Sequence, residues 1–250
     1  WRWYVVPAPG EPGSETWKDD HNAWKTGGGG LWQTGSYDPE QRLTIWGTGN
    51  PVPIYDPEFR PGDNLYTNSA VALNVDSGKL AWYFQEVPQE TWDYDTVNTK
   101  VLYDITVNGQ PRKTMGTFSR NGFYYNVDRG NGQFLFASPY RDVNWTAGID
   151  PKTGKPMEYN PAVNTQTYAN NKTLRVGRPD TSQNVCPSLA GPTWWPPPTP
   201  TRCTARRGHR SDASSIPSPR TPASSTRTTT SSRWKGARWC SVPKNPTEQV

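Results

Sequence analysis

A tight polar turn recurs along this chain at one spacing, and it constrains the fold more than any other feature. Ala72-Leu-Asn74-Val-Asp-Ser-Gly78-Lys-Leu-Ala-Trp82 sets a polar residue, a Gly four positions on and an aromatic four beyond that. Asn126-Val-Asp128-Arg-Gly-Asn-Gly132-Gln-Phe-Leu-Phe136 repeats the pattern, and Gly148-Ile-Asp150-Pro-Lys-Thr-Gly154 repeats its first half. Asp or Asn closes such turns with its side chain, Gly supplies the left-handed backbone, and the flanks read as strands. Ser36 to Gly47 has the same hairpin style. Trp82 and Phe136 are 54 residues apart, about the length of a four-stranded blade with generous loops. The expectation is an all-β propeller in which the aromatic after each turn fills the gap between neighbouring sheets. A β-sandwich with similar hairpins is the competing architecture.

Composition agrees. Thirteen Trp, 12 Tyr, 26 Pro and 22 Gly in 250 residues suit short strands and many turns. No run approaches 18 apolar residues, and no signal peptide is recognisable. The chain opens on Trp1-Arg2-Trp3, as though cut from something longer. Its net charge of +5 is uneven: residues 201–250 hold ten Lys/Arg and two acids, which leaves residues 1–200 near −3. The basicity therefore says little about the globular part, and no RNA-binding motif accompanies it, so nucleic acid is not an expected partner. Cys186, Cys203 and Cys240 fit no zinc spacing. His21 and His209 lie far apart in sequence and read as surface residues without a catalytic role.

Trp92-Asp93-Tyr94-Asp95 is the stretch richest in chemistry. In an extended segment residues i and i+2 share a face, so Asp93 and Asp95 would converge. Two carboxylates that close repel unless a cation or a shared proton holds them. Hard cations take oxygen ligands of this kind, and the flanking aromatics suggest partial shielding. By itself the stretch also fits a solvated acidic turn.

Six motifs in register resemble those of the quinoprotein alcohol and methanol dehydrogenases, eight-bladed propellers that bind pyrroloquinoline quinone (PQQ). They are Gly27-Gly-Gly-Gly-Leu-Trp32, Trp46-Gly-Thr-Gly-Asn50-Pro-Val-Pro53, Arg60-Pro-Gly-Asp-Asn64, Trp92-Asp-Tyr-Asp95, Ser119-Arg120-Asn121-Gly122 and Cys186-Pro-Ser-Leu189. The second Asp of the WDYD stretch resembles the branch that uses a lanthanide rather than calcium. The resemblance implies a partial propeller of about three to four blades over residues 1–191. It implies Trp32 as the floor against PQQ and Asn50 as a metal ligand. Asp93 becomes the catalytic base beside the metal, Asp95 the additional metal ligand, and Arg120 the arginine that hydrogen-bonds PQQ and the base. The implied reaction oxidises a primary alcohol by hydride transfer to metal-bound PQQ, with lanthanide(III) favoured over Ca2+. Family expectations extend to a c-type cytochrome as electron acceptor, a periplasmic location and a homodimer. A non-catalytic propeller scaffold without cofactor is the alternative, and Trp32, Asn50, Asp93, Asp95 and Arg120 argue against it because a scaffold needs no such set.

The chain also departs from the family. Family members are roughly twice as long, and their upstream portion carries a glutamate metal ligand and a disulfide between adjacent cysteines. Cys186 has no neighbouring Cys and is not that disulfide. Gly30 stands where the family often has Thr. The 250-residue chain alone is accordingly expected to be inactive. From Gly191 to Ser241 the only aliphatic residue larger than Ala is Ile216, and Pro, Ser, Thr and Arg dominate. Residues 192–250 therefore read as a low-complexity, disordered tail, and the abrupt change suggests a shift of reading frame near residues 192–200. Translation of the underlying DNA in the other two frames should yield β-like propeller sequence there; if neither frame does, the frameshift idea fails.

Overall fold

The computed structural model describes residues 1–168 and 185–187. The tail at 192–250, with Cys203, Cys240 and His209, lies outside the described residues. The fold is all-β. Strands β1 (Ser36–Asp38), β2 (Leu43–Gly47), β3 (Ser69–Asn74) and β4 (Leu80–Gln85) form one four-stranded sheet in that order. Strands β5 (Val101–Val107), β6 (Gln110–Phe118), β7 (Phe123–Asp128) and β8 (Phe134–Pro139) form a second. All pairings are antiparallel between sequence neighbours, the meander of a propeller blade.

The recurring turns close as their chemistry demands. Asn74 Oδ1 accepts the backbone N–H groups of Asp76 and Ser77, and Asp150 Oδ1 those of Lys152 and Thr153. Gly78, Gly132 and Gly154 each donate back to the turn's first carbonyl at 2.8 Å and hold φ of 70°, 74° and 72°. A side chain resists that left-handed backbone. The third turn is flanked by an isolated bridge between Ile149 and Pro156.

Trp82 joins the sheets. Its indole N–H donates to the Arg129 carbonyl at 2.9 Å, and its ring covers Gly132, where a Cβ would lie 2.8 Å from it. Trp1 does the same one sheet earlier, donating to the Val75 carbonyl at 2.8 Å over Gly78. Phe136, the expected counterpart, does not follow. It is 38% exposed, and Phe134 instead lies against Gly154. Phenylalanine has no N–H to anchor to a turn carbonyl, so the position loses the bond that docks Trp1 and Trp82. Arg129 adds an ionic tie, reaching Asp38 of β1 and Asp104 of β5 at 2.7 Å each.

Apolar faces of the two sheets meet in one core. Ile45, Ala72 and Phe84 of the first pack in it with Met115, Tyr125 and Val127 of the second. Trp46 packs elsewhere, with Leu65, Tyr66 and Val71. Trp82→Ala should lower unfolding stability by about 3–5 kcal/mol through lost burial. Trp82→Phe should cost only about 1 kcal/mol, the loss of the N–H bond. Urea denaturation of both variants checks the ordering; equal losses would mean that the ring's burial is not what holds the sheets.

Candidate functional site

Three loops bring the predicted residues together. The segment after β2, Thr48-Gly49-Asn50, runs between two others. On one side Gly49 donates to the Gly30 carbonyl at 3.0 Å and Gly29 to the Asn50 carbonyl at 2.8 Å. On the other, Thr96 donates to the Thr48 carbonyl at 3.0 Å, and the Asn50 N–H to Asp95 Oδ1 at 3.0 Å. Gly49 makes this approach possible. A Cβ there would lie 2.9 Å from the Trp32 ring and 3.0 Å from Asp95 Oδ1. Trp32 and Asp95 therefore flank one glycine, although 63 residues separate them. The indole is 54% exposed and offers an open apolar ring. Asn50 donates through Nδ2 to the Pro51 carbonyl at 3.1 Å, which turns its side-chain oxygen away from that carbonyl.

Asp93 and Asp95 converge by a different route from strand alternation. The stretch is irregular, and both residues are left-handed, with φ of 65° and 31°. Glu90 explains this conformation. Its fully buried carboxylate accepts the N–H of Trp92 at 2.5 Å and that of Tyr94 at 3.1 Å, so the chain wraps around one oxygen. Arg60, also fully buried, holds the Glu90 carbonyl at 2.6 Å and spends its remaining donors on Pro53, Ile54 and Asn64. Trp92 and Tyr94 point inward, against Trp145 and Tyr168 with ring centroids about 5.5–6.1 Å apart. Tyr94 Oη donates to the Pro187 carbonyl at 2.8 Å, and the buried, disulfide-bonded Cys186 is tied through its N–H to Asn144 at 2.6 Å. The aromatics are thus anchors, and the aspartates alternate out of them.

Arg120 ion-pairs with Asp95 Oδ2 at 2.6 Å. Its charge also reaches Asp93, where burial pushes the carboxyl up and Arg120 pulls it back. Burial, partly offset by the Asn50 N–H, and the neighbouring Asp93 push Asp95 up to about 6. Tyr55, which the sequence reading missed, is pushed up by burial and by the charges of Asp93 and Glu90. Glu90 and Arg60 were missed as site builders too. An acid two residues before the Trp92–Asp95 stretch was the available signal for Glu90, and Arg60 stood at the head of the Arg60–Asn64 motif without an assigned role. His21 is exposed beside Asp20, with its ring edge against Phe59.

The arrangement offers only oxygen donors at Asn50, Asp93 and Asp95, an open indole and one fixed positive charge. Among the described residues no group of three or more His, Cys, Asp or Glu forms a metal cage by itself.

Comparison with known proteins gives one consistent answer. The family model for the glucose/ethanol/alcohol dehydrogenase β-propeller domain, a PQQ family, matches residues 1–197. The quinoprotein alcohol dehydrogenase PedH of Pseudomonas putida is 46% identical over 154 residues, 61% of this chain and 25% of that protein. The lanthanide-dependent methanol dehydrogenase of Methylorubrum extorquens is 36% identical over 178 residues, 71% of this chain and 28% of that protein. Among solved structures, a europium-containing methanol dehydrogenase superposes with a TM-score of 0.62 at 36% identity, over 75% of this chain and 30% of its own. The quinohemoprotein alcohol dehydrogenase of Comamonas testosteroni gives 0.59 at 40% identity, over 62% and 25%. The chain thus spans about a quarter to a third of the relatives it matches.

Burial pushes Glu90 up to about 7, against the pull of the Trp92 and Tyr94 N–H groups and of Arg60. A folded pKa raised above the usual 4.5 means that the fold favours the protonated acid. That stability is full below the unfolded value and is lost as pH rises through 7. Between pH 5 and pH 8 the loss from Glu90 should be on the order of 2 kcal/mol. Glu90→Gln keeps the acceptor oxygen without the proton, and should flatten this part of the decline in urea unfolding at the two pH values. An unchanged slope in the variant would remove Glu90 as its source.

Proposed function

We propose a function from one premise: the chain belongs to the PQQ-dependent glucose/ethanol/alcohol dehydrogenase β-propeller family. The protein that contains it oxidises a primary alcohol by hydride transfer to PQQ, beside a metal ion held in part by Asn50, Asp93 and Asp95. The observation that carries this reading is the meeting of Trp32, Asn50, Asp95 and Arg120 around Gly49.

The residues present fit part of both groups. A flat cofactor finds an indole with more than half its surface open and a glycine beneath it. A hard cation takes six to eight oxygens, of which these three residues supply the smaller share. When bound, PQQ supplies the hydride acceptor and the metal a Lewis acid. The chain's own residues do the remaining work. Asp93, half-buried and pushed up by burial, takes the alcohol proton as general base. Arg120 keeps that carboxylate ionised by its charge. Asp95 adds negative charge to the cation site, which favours a trivalent ion, so we assign lanthanide(III) over Ca2+. Trp32 orients the cofactor plane. A c-type cytochrome as acceptor, a periplasmic location and a homodimer complete the proposal on the family's pattern.

Replacing the matching quarter of PedH by the 154-residue stretch of this chain that aligns with it should preserve PQQ-dependent alcohol oxidation in a dye-linked assay. In that graft Asp93→Asn should lower kcat by about 10²–10⁴-fold with PQQ still bound. Asp95→Ala should abolish lanthanide-dependent turnover. A graft that binds PQQ but oxidises no alcohol would favour the scaffold alternative, and full activity in the Asp93 variant would remove it as the base.

A further inference from the structure

Two charged side chains lie buried beneath the Asp95–Arg120 ion pair. Glu86, just past β4, and Lys100, just before β5, are both fully buried, with Nζ 4.0 Å from Oε1. Lys100 Nζ donates to the Thr96 carbonyl at 2.7 Å and to Thr117 Oγ1 at 3.3 Å. Thr96 Oγ1 donates in turn to Glu86 Oε2 at 3.3 Å. Thr96 directly follows Asp95, and Thr117 and Ser119 lead into Arg120. Burial pushes the Glu86 carboxyl up, while Lys100 and the hydroxyl of Ser119 pull it back, so Ser119 lies against the same carboxylate.

As a stabilising device this pair is poor. The charges stand 4.0 Å apart, and Glu86 Oε1 has no hydrogen-bond partner among the described residues. Buried pairs of that quality are matched or exceeded in stability by apolar side chains of similar volume. What the pair does hold is position. It grips Thr96 by carbonyl and hydroxyl, and grips the end of β6 through Thr117 and Ser119.

We propose that Glu86 and Lys100 are positioning residues. They hold the loop of Asp95 and the loop of Arg120 at ion-pairing distance and so shape the oxygen-donor set for a hard cation. The first clause stands on geometry alone; the cation clause rests on the proposed function.

The test compares the wild-type 250-residue chain with Glu86→Leu/Lys100→Met, an apolar replacement of both partners. The urea midpoint of the double variant should be unchanged or higher. The coupling between Asp95 and Arg120, measured by a cycle of Asp95→Asn and Arg120→Gln in each background, should be lost. Terbium(III) affinity, read by luminescence sensitised through nearby aromatics, should fall by about 10- to 100-fold. A folded double variant that keeps both coupling and terbium affinity overturns the proposal, because the pair would then be filling space only. Thr96→Val deletes only the hydroxyl that Glu86 accepts; it should lower the midpoint modestly, as a buried acceptor loses its donor, and weaken the coupling. If the double variant does not fold, this variant decides, and undiminished coupling in it overturns the proposal. Loss of coupling in a chain whose wild type binds no terbium would overturn the cation reading while upholding the positioning role.

Discussion

A single carboxylate oxygen determines how the site loop runs. Glu90 Oε1 collects the N–H groups of Trp92 and Tyr94, and that reversal turns their side chains inward while Asp93 and Asp95 turn out. Burying an acid is costly unless its neighbours satisfy it. Here the two N–H groups and the Arg60 guanidinium share that task, and the acid's pKa still rises to about 7. Arg60 in turn joins Glu90 to the Pro53–Asn64 segment. Left-handed backbone at two non-glycine residues persists only where the surroundings over-determine it. The Glu90 hub and the aromatic cluster beneath it provide that over-determination.

The rest of the molecule fixes where this loop sits. Trp82 and Arg129 hold the second sheet on the first. That places the end of β6, and so Arg120, beside Asp95. A site divided between two sheets inherits the precision of the sheet-to-sheet contact. Gly49 lies at the meeting point, because only a missing Cβ leaves room for both the Trp32 ring and the Asp95 carboxylate against it. The chain's membership of a PQQ-dependent dehydrogenase family is the ground on which a cofactor and cation role for this meeting point is proposed.

Much of this was legible in sequence. The Asn/Asp–Gly turns were readable because a turn is a local event, decided by side-chain oxygens and one left-handed residue within five positions. Trp82 as the filler between sheets followed from its place after the turn. Phe136 did not, because equal spacing does not make a phenyl ring an indole. Trp32, Asn50, Asp95 and Arg120 were singled out as candidates through motifs in register, and their meeting could not be deduced from any one of them. The premise that WDYD is extended was wrong, since the sign of φ at Asp93 and Asp95 answers to a buried carboxylate that a local pattern does not reveal.

By itself, then, the sequence determined the all-β class, the turns and the meander, since each follows from nearest neighbours or from motif register. The tertiary structure alone decided that Glu90, Arg60, Glu86 and Lys100 are buried and that Arg120 pairs with Asp95. It also decided that Trp32 faces the same glycine as that carboxylate. The physical reason is desolvation. Whether a charged residue is a solvated surface group or the hub of a loop depends on what covers it, and that cover comes from segments tens of residues away.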